Sequence, residues 1–244
     1  MTEWFDRFGK DFHNIFIEKD RWKWLVDGLF NTLKITFFAV LIGIVIGVVI
    51  ATIRSTYDKN KESLKKKKGL PYYILKILNA ISNVYLAVIR GTPVVVQLMI
   101  MYFIVFTSVG DGTVVAILSF GINSGAYVAE IFRGGIMSVD AGQFEAGRSL
   151  GFNYIQTMIY IVLPQMFKMV LPTLFNEFIV LVKETSVAGY VGIMDLTKAG
   201  DLIRGRTFSA FMPLIAVALI YLVIVLLLTY LDKRLERRLR KSDH

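Results

Sequence analysis

The chain of 244 residues has no cysteine, two histidines and five prolines. Without cysteine there is neither a disulfide framework nor a thiolate metal site, and redox compartment leaves no mark on the sequence. His13 and His244 sit in the two tails. The apolar stretches therefore lack the imidazole base of a buried serine triad, and no His/Asp/Glu set has metal-ligand spacing, so no metal site is expected. A G-x-x-x-x-G-K-[S/T] run is also missing, so this chain has no phosphate cradle of that kind. Acidic residues are outnumbered, at 19 Asp+Glu against 28 Lys+Arg. Such a balance serves nucleic acid only when a soluble domain displays it, and no segment poor in apolar residues is long enough to be one. Nucleic acid is set aside as a partner. Residues 1–27 scatter their charges and lack an apolar core with a small-residue cleavage site, so they are read as no cleavable signal.

What the chain does have is apolar length, with 55% hydrophobic residues and a mean hydropathy of +0.57. A bilayer core takes about 20 apolar residues as a helix. Five regions qualify: 29–53, 72–107, 113–137, 155–182 and 208–231. The first carries Gly43 and Gly47, a small-residue pair that lets another helix approach closely. Between the first two lies 54–69 with its "KNKESLKKKK", read as an aqueous loop, and the end "DKRLERRLRKSDH" reads as a basic tail.

The region 72–107 is interrupted by "RGTP" at 90–93. It is one long broken helix or two short spans. One span puts the lysine segment and the basic tail on the same face, as the positive-inside tendency favours. The reading is an all-α, multi-pass protein of the cytoplasmic membrane with five transmembrane helices, N-terminus outside and C-terminus cytoplasmic. Residues 1–28 form an outer tail, 29–231 the transmembrane domain with a cytoplasmic loop at 138–157, and 232–244 the basic tail. In the outer tail Trp4, Phe5, Phe8 and Phe12 fall near helical spacing and suit an interfacial helix. A disordered tail is the other reading.

Within the cytoplasmic loop, "EAGRSLGFNYIQTMIYIVLP" (145–164) breaks an apolar chain with a short charged stretch. Residues 143–150 make two turns of helix, Gly151 ends it in the left-handed conformation, and the chain climbs back through an apolar, proline-ended run. So short a helix is marginal alone, which leaves an ordinary interhelical loop or a helix awaiting a partner.

The order Glu145-Ala146-Gly147, three residues, Gly151, nine residues, Ile161-Val162-Leu163-Pro164 resembles the cytoplasmic-loop motif of bacterial ABC importer permeases, Glu-Ala-Ala-x3-Gly-x9-Ile-x-Leu-Pro. Gly147 departs from it, and glycine for alanine is expected to loosen the helix by about 1 kcal/mol. "RGTPVVVQLMIMYF", "NSGAYVAEIFRGGI" and "VLPQMFKMVLPTLFNEFIVLVKETS" narrow the resemblance to the polar amino-acid permeases, over residues 28–231. The resemblance implies a type I importer permease fold and a division of labour. A second permease subunit, identical or related, two copies of an ABC ATPase that hold ATP and Mg, and an extracytoplasmic solute-binding protein are the expected partners. The chain itself is expected to bind no cofactor and to be no enzyme. Glu145, Ala146, Gly147, Leu150, Gly151, Leu163 and Pro164 are the expected ATPase-coupling residues.

Ionisable groups inside the membrane are functional candidates by default. Arg90 and Glu130 lie 17 residues from Thr107 and Thr113 respectively, about 25 Å of helix each at about 1.5 Å per residue. Both are expected at similar depth in the cytoplasmic half. They form a structural ion pair, or Glu130 pairs with Arg133, or the two charges line a path and receive the carboxylate and ammonium of an amino acid. Thr92-Pro93 frees backbone carbonyls near Ile89 and Arg90, a kind of break tolerated in lipid only against protein or a wet cavity. Gln97 adds an amide. Pro172 with Asn176 and Glu177 gives the fourth span a kink and a polar patch. "KETS" (183–186) closes that span, its Glu184 solvated or part of a gate, and the loop 187–207 is long enough to meet the binding protein. The function expected is ATP-driven import of a polar amino acid by alternating access. An ATPase-independent secondary transporter or channel for a small polar solute is the alternative; it requires no docking helix.

Overall fold

The computed structural model describes residues 9–67 and 69–240, and among them there is no strand. The first long helix, α1, runs Trp22–Lys67. At about 1.5 Å per residue its 46 residues extend about 69 Å, more than twice a hydrocarbon core of about 30 Å. This corrects the reading of 54–69 as a loop. No glycine or proline stands between Gly47 and Lys67, and lysine, glutamate and leucine are good helix formers, so the helix leaves the apolar layer without stopping. It ends at Gly69-Leu70-Pro71, where the proline occupies the first turn of α2, Leu70–Gly91.

The region 72–107 resolves into two pieces. α2 has 22 residues, about 33 Å and enough to cross alone. After Thr92-Pro93 come the short α3, Val94–Ile100, and a wide π-type turn, Met101–Val105. α4, Gly112–Ser138, starts where the Asp111 carboxylate accepts the Thr113 amide at 2.8 Å. Then follow α5, Ala141–Ser149, α6, Tyr154–Thr157, a π-type turn Met158–Val162 and α7, Leu163–Glu184. A 3-10 turn, Thr185–Val191, leads to α8, Leu196–Thr207, and α9, Phe211–Arg240. Among the described residues five stretches are long and apolar enough to cross a membrane: Trp22–Lys59, Leu70–Gly91, Gly112–Ser138, Tyr154–Val191 and Phe211–Leu239.

The bundle is organised around α4, whose most apolar window is 61% buried, against 11% in α2 and in α9. α4 is the axis, and those two helices turn most of their surface outward. α1 packs on α4 through a seam of small residues. A Cβ at Gly47 would stand 2.9 Å from the Ala129 amide nitrogen, and one at Gly125 would stand 2.9 Å from Ile46 Cγ2. Gly43 faces Ser124 and Gly121 lies under Ile42 in the same way. The close approach that Gly43 and Gly47 permit is thus made within one chain.

At one end of the bundle, Ile15 and Phe16 from the turn His13–Ile17 are buried with Leu196, Ala199, Ile203 and Val217. Arg21 fixes that turn by donating to the carbonyls of Asn14 (2.8 Å) and Ile15 (3.2 Å). Phe12 is exposed and packs on Phe16; Trp4, Phe5 and Phe8 lie outside the described residues. The stretch 187–207 is no open loop, since α8 fills its second half behind the Asp195 cap. Likewise α9 continues through 232–240, so most of the basic end is helix; residues 241–244 lie outside the described residues.

Candidate functional site

The loop helix α5 is defined at both ends. Asp140 accepts the Gly142 amide at 2.6 Å. At the other end the Gly151 amide donates to Arg148 and the Phe152 amide to Gly147, both at 3.0 Å, with Gly151 at φ +81°. This pair of bonds around a left-handed glycine is the Schellman arrangement. Gly147 has a packing role beside its low helix propensity. Gly147 is buried, and a Cβ there would meet Thr157 Oγ1 at 2.6 Å. Glycine serves here to seat α5 on α6.

Everything else on the back of α5 is also tied down. Phe144 stacks on Tyr154 with ring centroids 6.2 Å apart, and Gln165 Nε2 of α7 donates to Gln143 Oε1 at 3.1 Å. Lys59 Nζ of α1 sits over the Phe144 ring, 3.7 Å from its centroid. The front is open: Glu145, Ala146 and Arg148 are exposed, and Leu150 is 71% exposed. An apolar tip beside a carboxylate on a rigid, solvent-facing helix is suited to docking in a groove of another protein. Asn153 and Gln156 then form a capping box, and the half-buried Leu163 and exposed Pro164 open α7 directly after the π-type turn.

The charges of the second and third spans meet. Glu130 accepts from Arg54 Nη1 and, at 3.1 Å, from Arg133 Nε, while Arg90 Nη1 stands 3.8 Å away. Arg133 also lies 3.8 Å from Asp58. Both pairings considered for Glu130 are present, and Arg54 joins them. Arg54 lies one residue beyond the apolar run 29–53, and a cation at that place is the signal for it in the sequence. Arg90 is the most open of the group, its side chain 48% exposed and its guanidinium 5.9 Å from the Tyr127 ring centroid.

The break between α2 and α3 is internally satisfied. Thr92 and Pro93 are extended, as the ring of Pro93 demands of the residue before it. Gln97 Nε2 donates to the carbonyls of Ile89 (2.7 Å) and Thr92 (3.0 Å) and to Thr92 Oγ1 (2.8 Å). Gln97 Oε1 accepts from Asn123 Nδ2 at 2.9 Å. The side chain thus replaces the amide that Pro93 lacks and ties the break to α4. On α7, Asn176 is exposed, whereas Glu177 is buried and accepts from Ser124 Oγ at 2.9 Å. Glu184, half-buried at the end of α7, lies within electrostatic reach of Glu177 and Tyr127. Arg90, Tyr127, Glu177 and Glu184 thus stand on three helices, with Arg90 and Tyr127 in contact.

The chain is similar to known transport permeases. The chain is 40% identical over 168 residues to the glutamine transport system permease protein GlnP of Escherichia coli, covering 67% of this chain and 77% of that one. It is 40% identical over 166 residues to the arginine transport system permease protein ArtQ of Bacillus subtilis, covering 67% and 76%. A putative glutamine permease of Rickettsia bellii matches at 35% over 222 residues, covering 88% and 92%. The crystal structure of an amino acid ABC transporter with histidines superposes with a TM-score of 0.76 at 38% identity, over 88% of this chain and 94% of that chain. The MetNI methionine ABC transporter, at 21% identity, shares the fold with a TM-score of 0.74 over 91% and 98%. The fold is that of a type I ABC importer permease. Residues 69–241 match the family model for the binding-protein-dependent transport system inner membrane component, and the chain belongs to that family.

Proposed function

We propose that this chain is the permease subunit of an ATP-driven importer that carries a polar amino acid across the cytoplasmic membrane by alternating access. The observation that carries the proposal is α5: a short helix fixed from behind by Thr157, Tyr154 and Gln165, with Glu145, Ala146 and Leu150 left open. The relatives named for glutamine and arginine support the amino-acid cargo. In this reading two permease subunits, identical or related, work with two ATPase subunits and an extracytoplasmic binding protein. ATP and Mg are held by the ATPases. The N-terminus is outside, and the lysine end of α1, α5 and the end of α9 are cytoplasmic, as the excess of lysine and arginine there favours.

Closure of the ATPase pair moves the docked α5 helices together and turns the spans outward; hydrolysis lets them return. A ligand drives such a change only through differential affinity for the two states, and α5 is where the ATPase acts. Glu145, Ala146, Gly147, Leu150 and Gly151 form the docking helix and its corner, and Leu163-Pro164 the return to the spans. Arg90, Thr92, Pro93, Gln97, Glu130, Asn176 and Glu184 are assigned to the cargo path, with unequal roles. Gln97 holds the break, Glu130 is occupied by arginines, and the open Arg90 is the group suited to a substrate carboxylate.

The test is uptake of a panel of radiolabelled amino acids into proteoliposomes containing the chain, the ATPase and the matching binding protein. ATP-dependent accumulation of one or a few polar amino acids supports the proposal. Accumulation without ATP, driven by an ion gradient, favours the secondary transporter.

A further inference from the structure

Beyond its apolar run helix α1 touches both α4 and α5, through side chains at 54, 58 and 59 that lie within one and a half turns. Arg54 and Asp58 reach α4, at Glu130 and Arg133. Lys59 reaches α5, at Phe144. The chain passes from α4 to α5 through two residues, the extended Val139 and Asp140, which caps α5. A two-residue elbow of this kind lets its arms change angle. A helix in contact with both arms fixes that angle. Resting on the coupling role proposed for α5, we infer that the cytoplasmic extension of α1 is a brace across this elbow, which passes the displacement of α5 to the Glu130 cluster, and that Lys59 is its positioning residue.

Three features support the brace. The contact is specific, because an ammonium centred 3.7 Å over an aromatic ring is favourable cation–π geometry, and the ring is held by its stack on Tyr154. The connecting element is rigid, because Arg54, Asp58 and Lys59 share an uninterrupted helix. The far end is consequential, because the Glu130 carboxylate that Arg54 holds also faces Arg90, one residue before the end of α2 at the Pro93 break. Movement of α5 that drags Lys59 therefore tilts Arg54 against the charges beside that break. Without the brace the movement passes only through the contacts of α5 with α6 and α7, and not to Arg54.

The test is the number of ATP molecules hydrolysed per amino acid accumulated, in proteoliposomes of the full complex, for Lys59→Met, Lys59→Arg, Phe144→Leu and the Lys59→Met/Phe144→Leu pair. Lys59→Met keeps the stem and removes the charge. It is expected to raise ATP used per amino acid about 3- to 10-fold while the ATPase still co-purifies. Phe144→Leu loses the same contact together with the Tyr154 stack, so adding Lys59→Met to it should raise the ratio no further. Lys59→Arg should restore the ratio, since guanidinium also stacks on aromatic rings. An unchanged ratio in Lys59→Met overturns the brace. So does loss of the ATPase from the purified complex, which makes the contact one of folding. Glu145→Lys in parallel separates the two ideas: if it abolishes uptake while Lys59→Met is silent, only the brace fails; if both are silent, the coupling role of α5 fails with it.

Discussion

Two regions use small residues in opposite ways. Along the seam between α1 and α4, Gly43, Gly47, Gly121 and Gly125 let two backbones approach until no further atom fits. In α5, Gly147 is buried while Glu145, Ala146 and Leu150 stand open to solvent. The seam spends its small residues on the chain's own packing. The loop helix uses one to fix its back and keeps its front exposed. Stability and coupling should therefore separate cleanly between the two places.

The largest expected effect tests the seam. Gly47→Leu forces a side chain against the Ala129 backbone and Val128, and overpacking of a close-packed interior typically costs about 1–3 kcal/mol and occasionally more. Yield of monodisperse protein in detergent and its thermal unfolding should both fall sharply. Gly134→Ala, on the same α4 with nothing within 4 Å of the added Cβ, should leave the yield unchanged and raise the unfolding temperature slightly, as helix propensity alone requires. If Gly47→Leu unfolds at the wild-type temperature, the seam is looser than described.

A smaller effect is expected at Asp195, which is buried, lies outside the spans and accepts the amides of Thr197 and Lys198, both at 3.0 Å. Asp195→Ala removes the cap and should cost about 1–2 kcal/mol, whereas Asp195→Asn keeps an acceptor and should cost less. Burial pushes the Asp195 carboxyl above its usual value, against the opposing pull of its amide bonds. The folded state then holds a proton more tightly than the unfolded one, so this group's contribution falls as pH rises from the usual carboxylate value through the raised one. Unfolding curves of Asp195→Asn measured over that range should lack this slope.

The smallest effect sharpens the picture of α5. Helix propensity alone says that Gly147→Ala should stabilise by up to about 1 kcal/mol. Contact with Thr157 says the reverse. Gly147→Ala should lower the unfolding temperature slightly, and adding Thr157→Ala should recover it. Stabilisation by Gly147→Ala alone would show that α5 is not seated on α6.

Much of this arrangement was legible in the sequence, and the misses have physical causes. The corner at Gly151 was readable because a glycine after a short polar helix has a local conformational reason to be there, and it is left-handed at φ +81°. The extension of α1 was misread because charge was taken to end a helix, whereas lysine ends only the apolar layer. α8 was missed although Asp195 followed by Leu196, Ala199, Gly200 and Ile203 is a cap and an apolar stripe at helical spacing. The partner of Gly43 and Gly47 could not be read, since a small-residue stripe specifies close approach without naming what approaches. Gln97 was noted as a spare amide, and the spacing that lets it reach back to Ile89 and Thr92 exists only once Pro93 has broken the helix.

The measurement that tests the central claim most directly is Glu145→Lys in the reconstituted complex, with uptake, ATP hydrolysis and thermal unfolding read on the same preparation. The account predicts an unfolding temperature within a degree or two of wild type, because Glu145 is exposed and surface changes usually stay within about 0.5 kcal/mol, together with at least about a tenfold loss of ATP-driven uptake, the rate equivalent of about 1.4 kcal/mol. Uptake at the wild-type rate, with the variant folded and the ATPase bound, would contradict it.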